Sequence, residues 1–251
     1  LIIRSKVTMK KYELTAEFIE KWGKKLFRIK ALISFGSVEV GELGGYVEKE
    51  DNLAQTGNAW VSGNAEVYGD ARVYGDARVS GNAEVYGNAR VSGNAWVYGN
   101  ARVSGNAWVY GDARVSGNAW VSGDARVSGD AWVYGDARVS GNAWVSGNAW
   151  VYGNAEVYGD AEVSGNADYL LIGRIGSRFG FTTFFKNKEK GITVSCGCFL
   201  GTIAEFRAKV TDTHGDNKHA KMYNMAADMA ELQILGEEHF DKLNTNKSEP
   251  F

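Results

Sequence analysis

From Gly57 to Asn166 the apolar and polar positions follow a six-residue cycle without insertion: Gly, Asn or Asp, Ala, a variable residue, Val, then Ser or Tyr. Eighteen valines fall in register between Val61 and Val163. Ala and Val sit two apart, so in an extended chain they share one side, while the variable residue and the Ser or Tyr share the other. A gapless period of this kind predicts a solenoid of short parallel strands with Ala and Val turned inward. Each Gly-Asn or Gly-Asp pair supplies a corner, because these residues tolerate the positive φ of a tight turn. Three corners close a triangular coil of 18 residues. The cycle therefore predicts about six coils stacked about 4.8 Å apart, a rod of roughly 29 Å.

Both flanks break the cycle. Upstream, Tyr12–Thr15 and Leu26–Ile33 alternate like strands around a hairpin-like connection, Lys21–Lys25, which suggests an N-terminal β cap over residues 1–56. The solenoid is expected over 57–168. Downstream, over 169–251, Tyr169–Ile172, Phe179–Lys186 and Ile192–Phe199 read as strands and two helices follow, a small α+β module. Thr202 and Glu205 have the spacing of a capping box, and Ile203, Phe206 and Val210 share one face of the first helix. The second helix begins at Asp216 or Asn217, and its apolar side, expected to face the core, carries Met222, Met225, Met229 and Leu232. The fold expected is thus mainly β.

Three resemblances refine this picture. With Val61 at the aliphatic and Ala65 at the small position, the cycle resembles the hexapeptide-repeat family, which implies a left-handed parallel β-helix. Phe35, Val38, Gly41, Gly44, Gly45, Tyr46, Val47, Asn52, Leu53, Gln55, Gly57 and Trp60 are similar to the N-terminal module of YdcK-like β-solenoid proteins of bacteria and prophages. The stretch from Ile175 to Tyr223, with Gly176-Ser177-Arg178, Gly197-Cys198-Phe199 and His214-Gly215-Asp216-Asn217, resembles a C-terminal module of uncharacterised phage and prophage proteins. That resemblance implies a phage or prophage origin, not an activity; a protein of that origin is expected to act in the host cytoplasm.

Residues 18 apart stack on one face, so the outward positions form three ladders. The first, Trp60, Arg78, Trp96, Arg114, Trp132 and Trp150, has Tyr98, Tyr134 and Tyr152 beside it. Its seven aromatics make it the expected contact surface, for a protein partner or a second copy, since Trp, Tyr and Arg dominate interface energetics. A competing reading is that Arg stacks over Trp and the ladder only stabilises itself.

Composition narrows the functions. With 28 basic and 30 acidic residues and no charged tail, the chain offers no footprint for bulk nucleic-acid binding. The two cysteines, Cys196 and Cys198, are too close to staple a fold, which suggests a reducing cytoplasm. Leu1–Lys11 lacks the apolar run of a signal peptide or a membrane span. Met9 reads as a translation start and Leu1–Thr8 as an upstream extension. The solenoid segment contains no threonine array of the ice-binding kind. It also has neither the histidine nor the extruded loop of a hexapeptide acyltransferase, which leaves that activity a minor alternative.

In the C-terminal module, Ser177, Arg178, Thr183 and the amides at Thr202 could form an anion pocket at a helix N-terminus, for a phosphate-bearing small molecule or a nucleotide. Cys196, Cys198, His214 and His219 permit a zinc site, but buried cysteines more often pack as small hydrophobes, so no metal and no cofactor is expected. The leading expectation is a non-catalytic binding or assembly scaffold.

Overall fold

A computed structural model describes residues 9–238; Leu1–Thr8, read above as an upstream extension, and residues 239–251 lie outside it. The chain opens with an antiparallel hairpin of β1 (Tyr12–Lys21) and β2 (Lys24–Ala31), followed by β3 (Leu43–Val47). Eighteen two-residue strands follow, β4 (Trp60–Val61) to β21 (Glu162–Val163), one per repeat. They form three parallel sheets in which every strand pairs with the strand three units on, in the register the 18-residue coil requires. Every Ala and Val of the cycle is buried in one continuous core.

The corners explain why glycine recurs. Gly117 sits at φ +68°, and a Cβ there would come within 2.9 Å of the backbone nitrogen of Gly135 in the next coil. Conformation and close stacking both exclude a larger residue. At the next position the amides bond up the corner, as from Asn100 Nδ2 to Asn118 Oδ1 (3.1 Å) and from Asn118 Nδ2 to Asp136 Oδ1 (3.0 Å).

The rod has about seven coils rather than six. Tyr46 and Val47 of β3 pair in parallel with Glu66 and Val67, and Leu53 bridges to Val73, twenty residues on in each case. The non-repeating segment therefore winds a first coil of its own, two residues longer than the rest, and so escapes a search for period six.

Along the axis the backbone is polar. Each coil donates its amides to the carbonyls of the next, as Trp60 N does to Ala77 O and Trp96 N to Ala113 O. The first coil therefore ends in unpaired carbonyls and the last in unpaired amides, and both must be satisfied. Donors meet the carbonyl end. Lys11 Nζ donates to Ala59 O (2.8 Å), Tyr12 Oη to Leu53 O (2.7 Å), and Asn52 Nδ2 to Ala71 O (2.8 Å). Acceptors meet the amide end: Trp150 N donates to Asn166 Oδ1 (2.8 Å) and Glu156 N to Thr183 Oγ1 (3.0 Å).

The C-terminal module is a four-stranded antiparallel meander, β22 (Tyr169–Ile175), β23 (Gly180–Lys186), β24 (Ile192–Cys196) and β25 (Phe199–Thr202), followed by α1 (Ile203–His214) and α2 (Lys218–Leu235). Its sheet lies between the last coil and the helices. Neighbouring phenylalanines on β23 divide the two sides, Phe185 entering the solenoid core and Phe184 the core beneath the helices. The capping box forms as expected, with Glu205 N donating to Thr202 Oγ1 and Thr202 N to Glu205 Oε2.

Candidate functional site

The aromatic face follows from the pairing of Trp60, Arg78, Trp96, Arg114, Trp132 and Trp150, each in register with the next. Its exposure is uneven. Trp96 and Trp150 are 43% and 47% exposed and Tyr152 is 47%, whereas Tyr98, Trp132 and Tyr134 are half-buried. Trp60 departs from the expectation: it is 5% exposed, with Phe35 and Tyr12 packed edge-on against it at 5.4 and 6.4 Å. The cap closes over that rung, so the open aromatic surface runs from Trp96 to the C-terminal end.

A pairing rule orders the rings. Each of five tryptophans donates its indole N–H to the serine 16 residues earlier, one coil back: Trp96 to Ser80 (3.2 Å), Trp108 to Ser92 (3.1 Å), Trp120 to Ser104 (3.0 Å), Trp132 to Ser116 (3.0 Å) and Trp144 to Ser128 (3.1 Å). The large ring lies over the small residue, leaving Ser92, Ser104, Ser116 and Ser128 buried. Where the cycle allows a tyrosine two residues on, it leans on the same ring, as in Trp96–Tyr98 (4.9 Å) and Trp132–Tyr134 (4.8 Å). Arginine contributes less than its place in the ladder implies; Arg114 stands over Trp132 at 6.0 Å.

Trp150 closes the series differently, because Tyr134 occupies the position 16 residues earlier. Its ring packs edge-on to Trp132 at 5.8 Å while Tyr152 stacks on Tyr134 at 5.5 Å. Tyr169 meets Tyr152 edge-on, and burial pushes its phenol above the ordinary tyrosine range, so it stays protonated. Trp150, Tyr152, Asn166, Tyr169, Leu171 and Gln233 border a recess of about 310 Å³ at this end. Gln233 Nε2 of α2 donates to Tyr169 O (2.7 Å), fixing the helix to the recess.

The other faces carry like charges on adjacent rungs. Glu66 and Glu84 are neighbours, and Lys21 of the cap bridges them. Burial works against the Lys21 ammonium, but its bonds to the two carboxylates outweigh that and hold it above the usual lysine range. Arg72 and Arg90 are likewise neighbours.

The expected anion pocket does not assemble. Thr183 is 2% exposed and spends its hydroxyl on the Glu156 amide at the solenoid end. At Thr202 the Glu205 carboxylate occupies the helix N-terminus that an anion would need, and Thr202 N and Oγ1 hold it below the usual carboxylate range. Ser177 and Arg178 are exposed on the turn after β22. The zinc alternative fares no better. Cys196 accepts from Thr182 Oγ1 (3.1 Å), Cys198 is exposed, and His214 stacks on Tyr223. Among the described residues no group of three or more His, Cys, Asp or Glu side chains is placed to hold a metal ion. Among them, too, no helix is long and apolar enough to cross a membrane.

Sequence reasoning missed the outward turn of α2. Met222, Met225, Met229 and Leu232, expected in the core, are exposed, and the side packed on the sheet is Ala220, Tyr223, Ala226, Ala227, Ala230 and Ile234. The signal was present in the alanines, whose small side chains permit close approach.

No curated protein matches the chain. The family model of the YdcK beta solenoid repeat matches in eight overlapping segments, from 65–81 to 137–153. Residues 65–153 are thus a YdcK-like repeat solenoid.

Proposed function

We propose that the protein is a rigid, non-catalytic binding and assembly scaffold whose aromatic face receives another protein at its C-terminal end. The observation that carries this reading is the packed cluster of Trp132, Tyr134, Trp150 and Tyr152 beside the recess under Gln233. Rings already held by one another lose little conformational freedom on binding, so more of their contact energy appears as affinity. The recess beside them, about 310 Å³, is large enough to take a side chain that protrudes from that protein.

The test places a photo-reactive benzoylphenylalanine at Tyr152, or at Arg90 on another face, in cells making the full chain. A discrete adduct from position 152 and none from position 90 is expected, and its mass separates a second copy from a different protein. Equal labelling from both positions, or no adduct from 152, removes the reading.

A further inference from the structure

Helix α2 turns its longer apolar side chains away from the protein, with Met222, Met225, Met229 and Leu232 exposed by 40%, 66%, 56% and 45%. They are spaced by three, four and three residues, the seam of a two-helix coiled coil. The opposite side already rests on the module, and among the described residues nothing packs over this seam. Methionine side chains are flexible and polarizable, which suits a surface that packs against a helix of its own kind.

Charge selects the direction. Lys218 and Lys221 are exposed at the start of the seam, and Glu237 and Glu238 are exposed just beyond its end. Two copies of α2 laid antiparallel pair Met222 with Leu232 and Met225 with Met229, and bring the lysines of each copy to the glutamates of the other. A parallel pair sets like charge against like. Asp228, beside the seam, is held by Arg207 Nη2 at 2.7 Å, so the symmetry axis does not bring two bare carboxylates together.

We infer that α2 is the interface of a two-fold homodimer in which the helices run antiparallel. The partner is a second copy of this chain, and the contact is separate from the aromatic face. Such an interface is isologous, the arrangement most dimers use. An 18-residue helix is about 27 Å long. A seam of that length is at or below the roughly 1,200 Å² at which standard interfaces begin, the size of a weak or transient contact.

Light scattering coupled to size exclusion of the full chain, from about 1 to 200 µM, measures this. The mass should double across that range. Met225→Glu with Met229→Glu should keep the monomer mass throughout, with unchanged circular dichroism and thermal unfolding because both side chains are exposed. Lys218→Glu with Lys221→Glu should weaken the dimer about tenfold, and adding Glu237→Lys with Glu238→Lys should restore it. A parallel dimer would not respond in this way.

A monomer at every concentration overturns the inference and leaves the seam to another protein or to residues 239–251. A dimer indifferent to the Met225 and Met229 changes also overturns it. Changing Trp96, Trp132 and Trp150 to serine should leave the dimer intact. Loss of the dimer in that variant alone would move self-association to the aromatic face and overturn this inference while favouring the function proposed above.

Discussion

Lys11 shows how one side chain couples the solenoid to pH. It is 2% exposed, its ammonium donates to the Ala59 carbonyl at the open end of the rod, and burial pulls it down to about 8. A lysine in the unfolded chain titrates near 10.4. Below pH 8 both states hold the proton and the fold bears the full penalty of a buried charge. Between about pH 8 and 10 the folded state releases its proton first, the unfolded state binds more, and stability rises with pH. Above about 10 the slope reverses, because burial keeps Tyr12, Tyr68 and Tyr169 protonated in the fold beyond the point where unfolded tyrosines ionise. Denaturant unfolding across pH 7–11 should show this maximum, and Lys11→Met should abolish the rise between 8 and 10 whatever it does to overall stability.

Among elements, the stacking of strand on strand sets which outward residues are neighbours. Ser116 and Trp132 lie far apart in the cycle yet share a hydrogen bond, so Ser116→Ala should cost about 1 kcal/mol. Most of that loss should vanish when Trp132 is already phenylalanine, a coupling that a double-mutant cycle in chemical denaturation reads directly. Much of this level was legible in the sequence. The three ladders, the inward Ala and Val and the capping box at Thr202 follow from period and spacing alone. The coil containing Tyr46 and Leu53 was hidden because it has two extra residues, and period detection rewards strict repetition. Helix α2 was misassigned in facing because an amphipathic pattern names two sides without saying which one meets the sheet. Alanines at 226, 227 and 230 won by allowing the backbone closer than methionines could. The anion pocket failed for a related reason: closeness in sequence is not closeness in space, and Arg178 lies on the exposed turn before β23 while Thr183, within that strand, meets the solenoid end.

At the scale of the whole molecule, the two terminal structures are chemically opposite because the ends of the rod are. Lys11, Tyr12 and Asn52 bring donors to one end, and Asn166 and Thr183 bring acceptors to the other. Residues 57–165 freed of both should therefore not remain single: the amide end of one rod matches the carbonyl end of the next in spacing and direction. Electron microscopy of that fragment should show long threads one rod wide, and the full chain none. Such threads would have a head and a tail that grow at different rates. Either terminal structure supplied as a separate chain would arrest only its own end, so the folded protein amounts to a single filament subunit carrying both of its own terminators.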